Sequence, residues 1–236
     1  MNGKQAQRYG GALAAGLALC ACFAAPGSAS HRTSYERMAP LEQYLMSPDA
    51  EIALARSAAP AAISGNATIL TLRRDGYATA VDGTNGFTCI VERSWMSPFD
   101  SPEFWNPKLR APICYNPAAS RSILAYTLRR TRLALAGRSK QAMLDEVRAA
   151  LSRKEVPQPE PGAMSFMMSR DGNLGDTQGH WHSHLMFHVP KAPAASWGAN
   201  VAGSPVVLDD RLIPEPQSIF LVPVSHWSDG TAAPVS

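Results

Sequence analysis

Between residues 179 and 190, polar and apolar side chains alternate strictly, and this alternation is typical of a half-buried β-strand. Its polar row is His180, His182, His184, Met186 and His188, and its apolar row is Trp181, Ser183, Leu185, Phe187 and Val189. A strand of this kind buries its apolar row only as part of a sheet, so the chain must form one. Four of the six histidines lie in this strand, which makes it the place where chemistry is most expected.

Three further strands are predicted near the start of the chain, over residues 67–73, 77–81 and 87–92. They are separated by Asp75-Gly76 and Asn85-Gly86, dipeptides that tolerate the positive φ angles of tight hairpin turns. We therefore expect a three-stranded antiparallel meander. Alternation in the third strand places Cys89 and Val91 on one face.

Two helices are predicted in the middle of the chain, and more strands after them. Asn116-Pro117 opens a helix that runs to about residue 136, and Ser139 caps a second helix that runs to about residue 154. Later strands are expected over residues 163–169, 205–208 and 217–224. The prediction is a single α+β domain over residues 31–236, with an ordered core over about residues 40–226. We expect an antiparallel sheet of about five or six strands, with the two central helices packed on one face.

The first 30 residues have the composition of a secretory signal peptide. Lys4 and Arg8 precede an apolar run over residues 11–25, and a segment of small residues follows it. We expect a secreted or periplasmic protein with no transmembrane span in the mature chain, because no later apolar run is long enough. An alternative is a lipoprotein anchored through Cys22.

The cysteines agree with an oxidising compartment. Cys20 and Cys22 fall in the leader, which leaves Cys89 and Cys114 as a pair, and we expect them to form one disulfide. The alternative, that the pair binds a metal, lacks the close Cys spacing of such sites. The chain carries 22 basic and 19 acidic residues, two of the basic ones in the leader, so its charge gives no reason to expect a nucleic-acid partner.

A segment rich in proline and aromatic residues, over residues 94–117, is predicted to be an irregular loop pinned by the disulfide. One hypothesis is that its rings form the wall of a ligand pocket, together with acids from the glycine-rich loop over residues 170–179. The residues expected in this pocket are Trp95, Phe104, Trp105, Asp171 and Asp176. The alternative is that the loop packs on its own rings as a small core.

Several stretches resemble a group of uncharacterised secreted bacterial proteins. They are GTNGFTC from Gly83, PEFWNP from Pro102, APICYNP from Ala111 and GHWH from Gly179. The resemblance implies export and a single domain. It implies no activity and no catalytic residues, so those remain unknown.

Imidazole is a common metal ligand, and the candidate metal set is His180, His182 and His184. At about 3.3 Å per residue, His180 and His188 are too far apart to share one ion. A zinc-like divalent metal would therefore need a further ligand from another loop. One alternative is a solvent-facing polar row on an edge strand or a one-sided sheet. Another is a pH-sensitive binding surface, because adjacent imidazoles protonate near pH 6 and repel one another.

Two functions remain open. The first is an exported, soluble module that binds a small ligand or assists another protein. The second is a metal-dependent hydrolase or metal-handling protein that uses the histidine strand, in which a bound metal activates water. The sequence leaves open whether the protein is an enzyme, and a small molecule or a metal ion is the expected partner.

Overall fold

A mixed sheet of eight strands organises the computed structural model, which describes residues 35–176, 182–208 and 217–234. In chain order the strands are β1 (Thr68–Arg73), β2 (Gly76–Val81), β3 (Thr88–Glu92), β4 (Ala111–Tyr115), β5 (Met164–Met167), β6 (His184–Pro190), β7 (Val207–Leu208) and β8 (Gln217–Pro223). Their spatial order is β2-β1-β3-β4-β5-β6-β8-β7. The α+β class is confirmed, but the expected count of five or six strands is wrong. The segment predicted to be a signal peptide, together with Cys22, lies outside the described residues.

The main strand that the prediction missed is β4, which lies inside the segment expected to be an irregular loop. It pairs with β3 along its whole length, including Pro112 opposite Val91. It pairs with β5 only through Cys114 and Tyr115. At Pro112 the strand therefore has a neighbour on one side alone, and a proline is tolerated there because it interrupts no second ladder.

The predicted meander is wrong at its third strand. β1 and β2 form the expected antiparallel hairpin, but β3 lies on the other side of β1 and runs parallel to it, pairing Thr68 with Thr88. Asn85 does not make a hairpin turn. Its amide donates a hydrogen bond of 2.8 Å to the Ile63 carbonyl, which anchors the loop that leads from β2 to β3 across the start of β1.

The described residues contain five α-helices: α1 (Pro48–Arg56), α2 (Ala61–Ser64), α3 (Pro117–Ser122), α4 (Leu124–Leu135) and α5 (Lys140–Ser152). The predicted caps are confirmed, since Asn116 accepts from the Ala119 amide and Ser139 from the Ala142 amide. The first predicted helix is divided into α3 and α4 at Ile123. None of the described helices is long and apolar enough to cross a membrane.

Helices cover both faces of the sheet, not one face as expected. α1 packs on the face that carries Cys89 and Val91, through buried residues such as Ala55. Because successive strand residues point to opposite faces, Ile90 and Ile113 lie on the other face, where α3 packs. The face that carries Ile90 and Ile113 is called the inner face below.

The predicted disulfide is confirmed and lies on the α1 face. Cys89 of β3 and Cys114 of β4 are direct cross-strand partners, and both are fully buried. The bond therefore ties two central strands together and is separated from the inner face by the sheet itself.

Candidate ligand-binding cavity

A cavity of about 200 Å³ lies between the inner face and the residues around α4. Most of its floor consists of alternate residues of β4, β6 and β8, because only every second side chain points to one face, and β3 and β5 add Glu92 and Met167. The alternate residues are Ala111, Ile113 and Tyr115 of β4, His184, Met186 and His188 of β6, and Gln217, Ile219 and Leu221 of β8. Tyr126 and Thr127 of α4 contribute to the opposite wall.

Most of the lining is apolar. It includes the thioethers of Met96, Met167 and Met186 and the aliphatic side chains of Leu109, Ile113, Ile123, Leu174, Ile219 and Leu221. Methionine side chains are flexible and polarisable, so they adapt to guests of different shape. An apolar cavity with a few polar groups is the usual form of a small-molecule site.

The first polar group in this cavity is the carboxyl of Glu92, at the end of β3. The Tyr115 hydroxyl donates a hydrogen bond of 2.5 Å to Glu92 Oε1, and the Thr127 hydroxyl donates one of 3.1 Å to the same atom. Glu92 Oε2 accepts no hydrogen bond from the described residues. Burial raises the pKa of Glu92, although the two hydroxyl donors and the charge of Arg130 act in the opposite direction.

The second polar group is His188, whose two ring nitrogens are both engaged. Nδ1 lies 3.0 Å from Gln217 Oε1, which can only accept, so Nδ1 carries the proton. The Ser165 hydroxyl then donates to Nε2 across 2.9 Å. Burial lowers the pKa of His188 to about 4, so the ring is neutral at physiological pH.

His184 completes the polar part of the lining. Its Nδ1 donates to the His182 carbonyl across 2.6 Å, which fixes the tautomer, and burial lowers the pKa of the ring. His184, Met186 and His188 therefore do share one face of the strand, as the alternation predicts. That face points into the cavity, and β6 lies between β5 and β8, so the idea of a solvent-facing row on an edge strand is wrong for these residues.

The candidate metal set is only partly described. His180 lies outside the described residues, and the contact between His182 and His184 runs through the His182 carbonyl. Within residues 35–176, 182–208 and 217–234, no group of three or more His, Cys, Asp or Glu side chains is arranged to hold a metal ion. The set of His180, His182 and His184 with a zinc-like ion stays a prediction.

The aromatic residues expected in a pocket do not line this cavity. Trp95, Phe104 and Trp105 are almost completely buried in a second core, which also contains Tyr44 and Met143. The rings of Phe104 and Trp105 meet edge to face at 4.7 Å. The rings of the segment therefore form a core of their own, as the alternative hypothesis predicts.

The two acids expected with them lie away from the cavity lining as well. Asp171 is exposed, and Asp176 accepts a hydrogen bond of 2.7 Å from the Tyr35 hydroxyl, which raises the pKa of Tyr35 to about 12. The loop that carries both acids does reach the cavity, but through the apolar side chain of Leu174.

Sequence reasoning missed Glu92, Tyr115, Thr127 and Gln217. A signal existed for Glu92, because the alternation that turns Cys89 and Val91 to one face turns Ile90 and Glu92 to the other. This alternation places an acidic residue, Glu92, on a strand whose residues are all buried in the structure. No sequence pattern linked that acid to Tyr115 or Thr127, which come from β4 and α4.

Comparison of the chain with models of protein families, with curated proteins and with solved structures found no match.

Proposed function

We propose that this chain is an exported protein that binds a small, mainly apolar molecule in the cavity between the inner face and α4. The observation that carries the proposal is an apolar cavity that contains a buried carboxyl held by two hydroxyl groups. Transfer of an apolar ligand from water into the cavity is favourable by roughly 25 cal/mol per Å² of apolar surface buried, while a few polar groups orient the ligand.

The polar groups support binding more than a purely structural role. Burying a carboxyl costs free energy, and replacing such a group by an apolar one is often neutral or stabilising. A chain that needed only a packed core could fill this space with aliphatic side chains. Another buried carboxyl near the sheet, Glu51 of α1, has Arg93 as a charged partner, whereas Glu92 has no ion-pair partner among the described residues. The retained Glu92, Tyr115 and Thr127 are therefore best explained by a ligand that uses them.

Export is supported by the leader-like N-terminus and by the disulfide. A stable disulfide between buried cysteines is typical of proteins that fold outside the cytoplasm. Microsequencing of the mature protein recovered from cell fractions tests this part, and an intact N-terminus in the cytoplasmic fraction would contradict it.

The binding proposal is tested by ¹³C-methyl NMR of the methionines. Three of them line the cavity, whereas Met143 is buried in the separate aromatic core, so it serves as an internal control. Titration with n-hexylamine, n-hexanol and n-hexanoate is expected to shift the Met96, Met167 and Met186 signals and to leave Met143 unchanged.

Two variants sharpen this test. Ile219→Trp fills the cavity floor and is expected to abolish the shifts, whereas Val201→Trp, at a site 56% exposed, is expected to retain them. The proposal fails if none of the three compounds moves the cavity methionines, or if both tryptophan variants respond alike.

The histidine set is tested separately by elemental analysis. The purified protein is compared with a variant in which His180, His182 and His184 are all alanine. Equal, near-zero metal in both proteins would remove the metal-dependent function from consideration.

A further inference from the structure

The hydrogen bonds around Glu92 are directed to one oxygen of its carboxyl group. Tyr115 and Thr127 both donate to Oε1, and each hydroxyl has a single proton to give. Oε2 belongs to a residue that lines the cavity and is 9% exposed, and it accepts no hydrogen bond from the described residues. Of the two carboxyl oxygens of this lining residue, Oε2 is therefore the one whose lone pairs are available to a ligand.

We infer that the cavity selects a small amine, whose ammonium group donates to Glu92 Oε2 while its apolar part lies against the methionines. This inference rests on the proposed function and adds the chemical class of the ligand. Burial raises the pKa of Glu92, and the two hydroxyl groups that donate to its carboxyl oxygen act against this by favouring the ionised form. Once ionised, a carboxyl at the wall of an apolar cavity favours a positive partner.

The two arginines near Glu92 do not form an ion pair with it. Arg93 forms a fully buried ion pair with Glu51, at 2.7 Å. Arg130 donates to the Ser97 carbonyl and packs over the Phe99 ring, with 4.3 Å from its guanidinium carbon to the ring centre. Among the described residues no ion pair joins either arginine to Glu92, so its charge has no direct partner.

The rest of the lining also suits an ammonium group. The aromatic ring of Tyr115 belongs to the lining, and aromatic rings attract cations, whereas the Tyr126 ring already lies 5.7 Å from the guanidinium carbon of Arg130. Burial lowers the pKa of both His184 and His188, so above about pH 6.5 neither histidine places a competing positive charge in the cavity.

The inference predicts a head-group preference among probes of equal apolar length. In methionine-methyl titrations, n-hexylamine is expected to bind at least about 10-fold more tightly than n-hexanol, and n-hexanoate more weakly than both, because it places a second negative charge beside Glu92. Glu92→Gln keeps the shape and an acceptor for Tyr115, and it is expected to remove the preference for the amine. Glu146→Gln, at an exposed glutamate of α5, is the matched control and is expected to leave the preference unchanged.

The pH dependence has a definite sign. An alkylammonium ion stays charged below about pH 10, so its binding strengthens as pH rises and Glu92 ionises. The charged and titratable groups near Glu92 are Arg93 directly after β3, Tyr77 on β2, Tyr115 on β4, Tyr126 and Arg130 on α4, and His184 and His188 on β6. Protonation of the histidines at low pH also weakens binding of the ammonium ion. The contribution of Glu92 to the pH dependence is therefore measured as the difference between the wild-type protein and Glu92→Gln.

The outcomes separate this inference from the proposed function. If hexanol and hexylamine bind equally and Glu92→Gln changes neither, the cavity binds apolar molecules but the amine inference is overturned. If neutral hexanol binds best and its binding weakens as pH rises, Glu92 acts as a protonated donor and the inference is also overturned. If no probe binds, both fail. If Glu92→Gln does not fold, the inference is tested with the wild-type protein alone, by the order of affinities among the three probes and by the change of amine affinity with pH.

Discussion

His188 and Gln217 meet on the inner face across the β6–β8 pair, with Nδ1 of the histidine 3.0 Å from the amide oxygen. Ser165 of β5 holds the other ring nitrogen, so one imidazole links three neighbouring strands. The ring is 3% exposed and has a pKa of about 4. This buried neutral histidine has a direct consequence for stability in acid.

We expect the protein to lose stability as the pH falls from about 6.5 towards 4. Over this range the unfolded chain takes up a proton at residue 188 and the folded chain does not, so unfolding becomes more favourable by about 3 kcal/mol. Urea denaturation at pH 7, 5 and 4 measures the loss. His188→Gln is expected to flatten it, whereas the exposed His226→Gln is expected to keep it. An equal acid loss in both variants would show that other groups cause it.

The pH dependence of stability due to Glu92 is expected to be opposite to that due to His188. Because burial raises its pKa, the unfolded chain releases this proton at a lower pH than the folded chain, and stability decreases as the pH rises through the pKa of the folded state. Glu92→Gln should therefore raise the melting temperature more at pH 8 than at pH 5. Calorimetry at both values, with Glu146→Gln as control, measures the difference. A variant less stable than wild type at pH 8 would contradict this sign.

The cross-strand disulfide is expected to stabilise the fold without affecting the cavity. Removing it in Cys89→Ala/Cys114→Ala frees a loop with a sequence separation of 25, at a cost of about 3–4 kcal/mol in the free energy of unfolding. Urea denaturation of the variant and of the reduced wild-type protein measures this cost. Because both sulfurs lie on the α1 face, the methyl shifts of Met167 and Met186 should stay the same. A loss below about 1 kcal/mol would exclude the stabilising role.

The buried ion pair of Arg93 and Glu51 is expected to show strong coupling. Arg93→Met leaves a carboxylate that is 1% exposed without its cation, which costs about 3–5 kcal/mol. Adding Glu51→Gln removes the uncompensated charge and keeps an acceptor for the Leu72 amide, which donates to Glu51 across 3.1 Å. The double variant should therefore be more stable than Arg93→Met alone. Strictly additive losses in the double-mutant cycle would mean that the two charges do not interact.

Local patterns allowed much of the fold to be predicted. Caps at Asn116 and Ser139, the β1–β2 hairpin and the alternation of β6 each depend on neighbours within a few residues, and all three occur in the structure. Strand pairing was predicted less well. β3 runs beside β1 and not beside β2, because the loop anchored by Asn85 crosses the start of β1, and no short-range signal encodes that crossing.

The candidate site, like the fold, could be predicted from the sequence only in part. The sequence alone determined that β6 carries a polar row and that Cys89 points away from Glu92, because side chains alternate along any strand. Only the tertiary structure decided that the polar row faces a cavity, since that depends on which side of the sheet α4 covers. The contact of Glu92 with Tyr115 and Thr127 joins residues up to 35 positions apart, and only the packing of β3, β4 and α4 brings them within hydrogen-bonding distance.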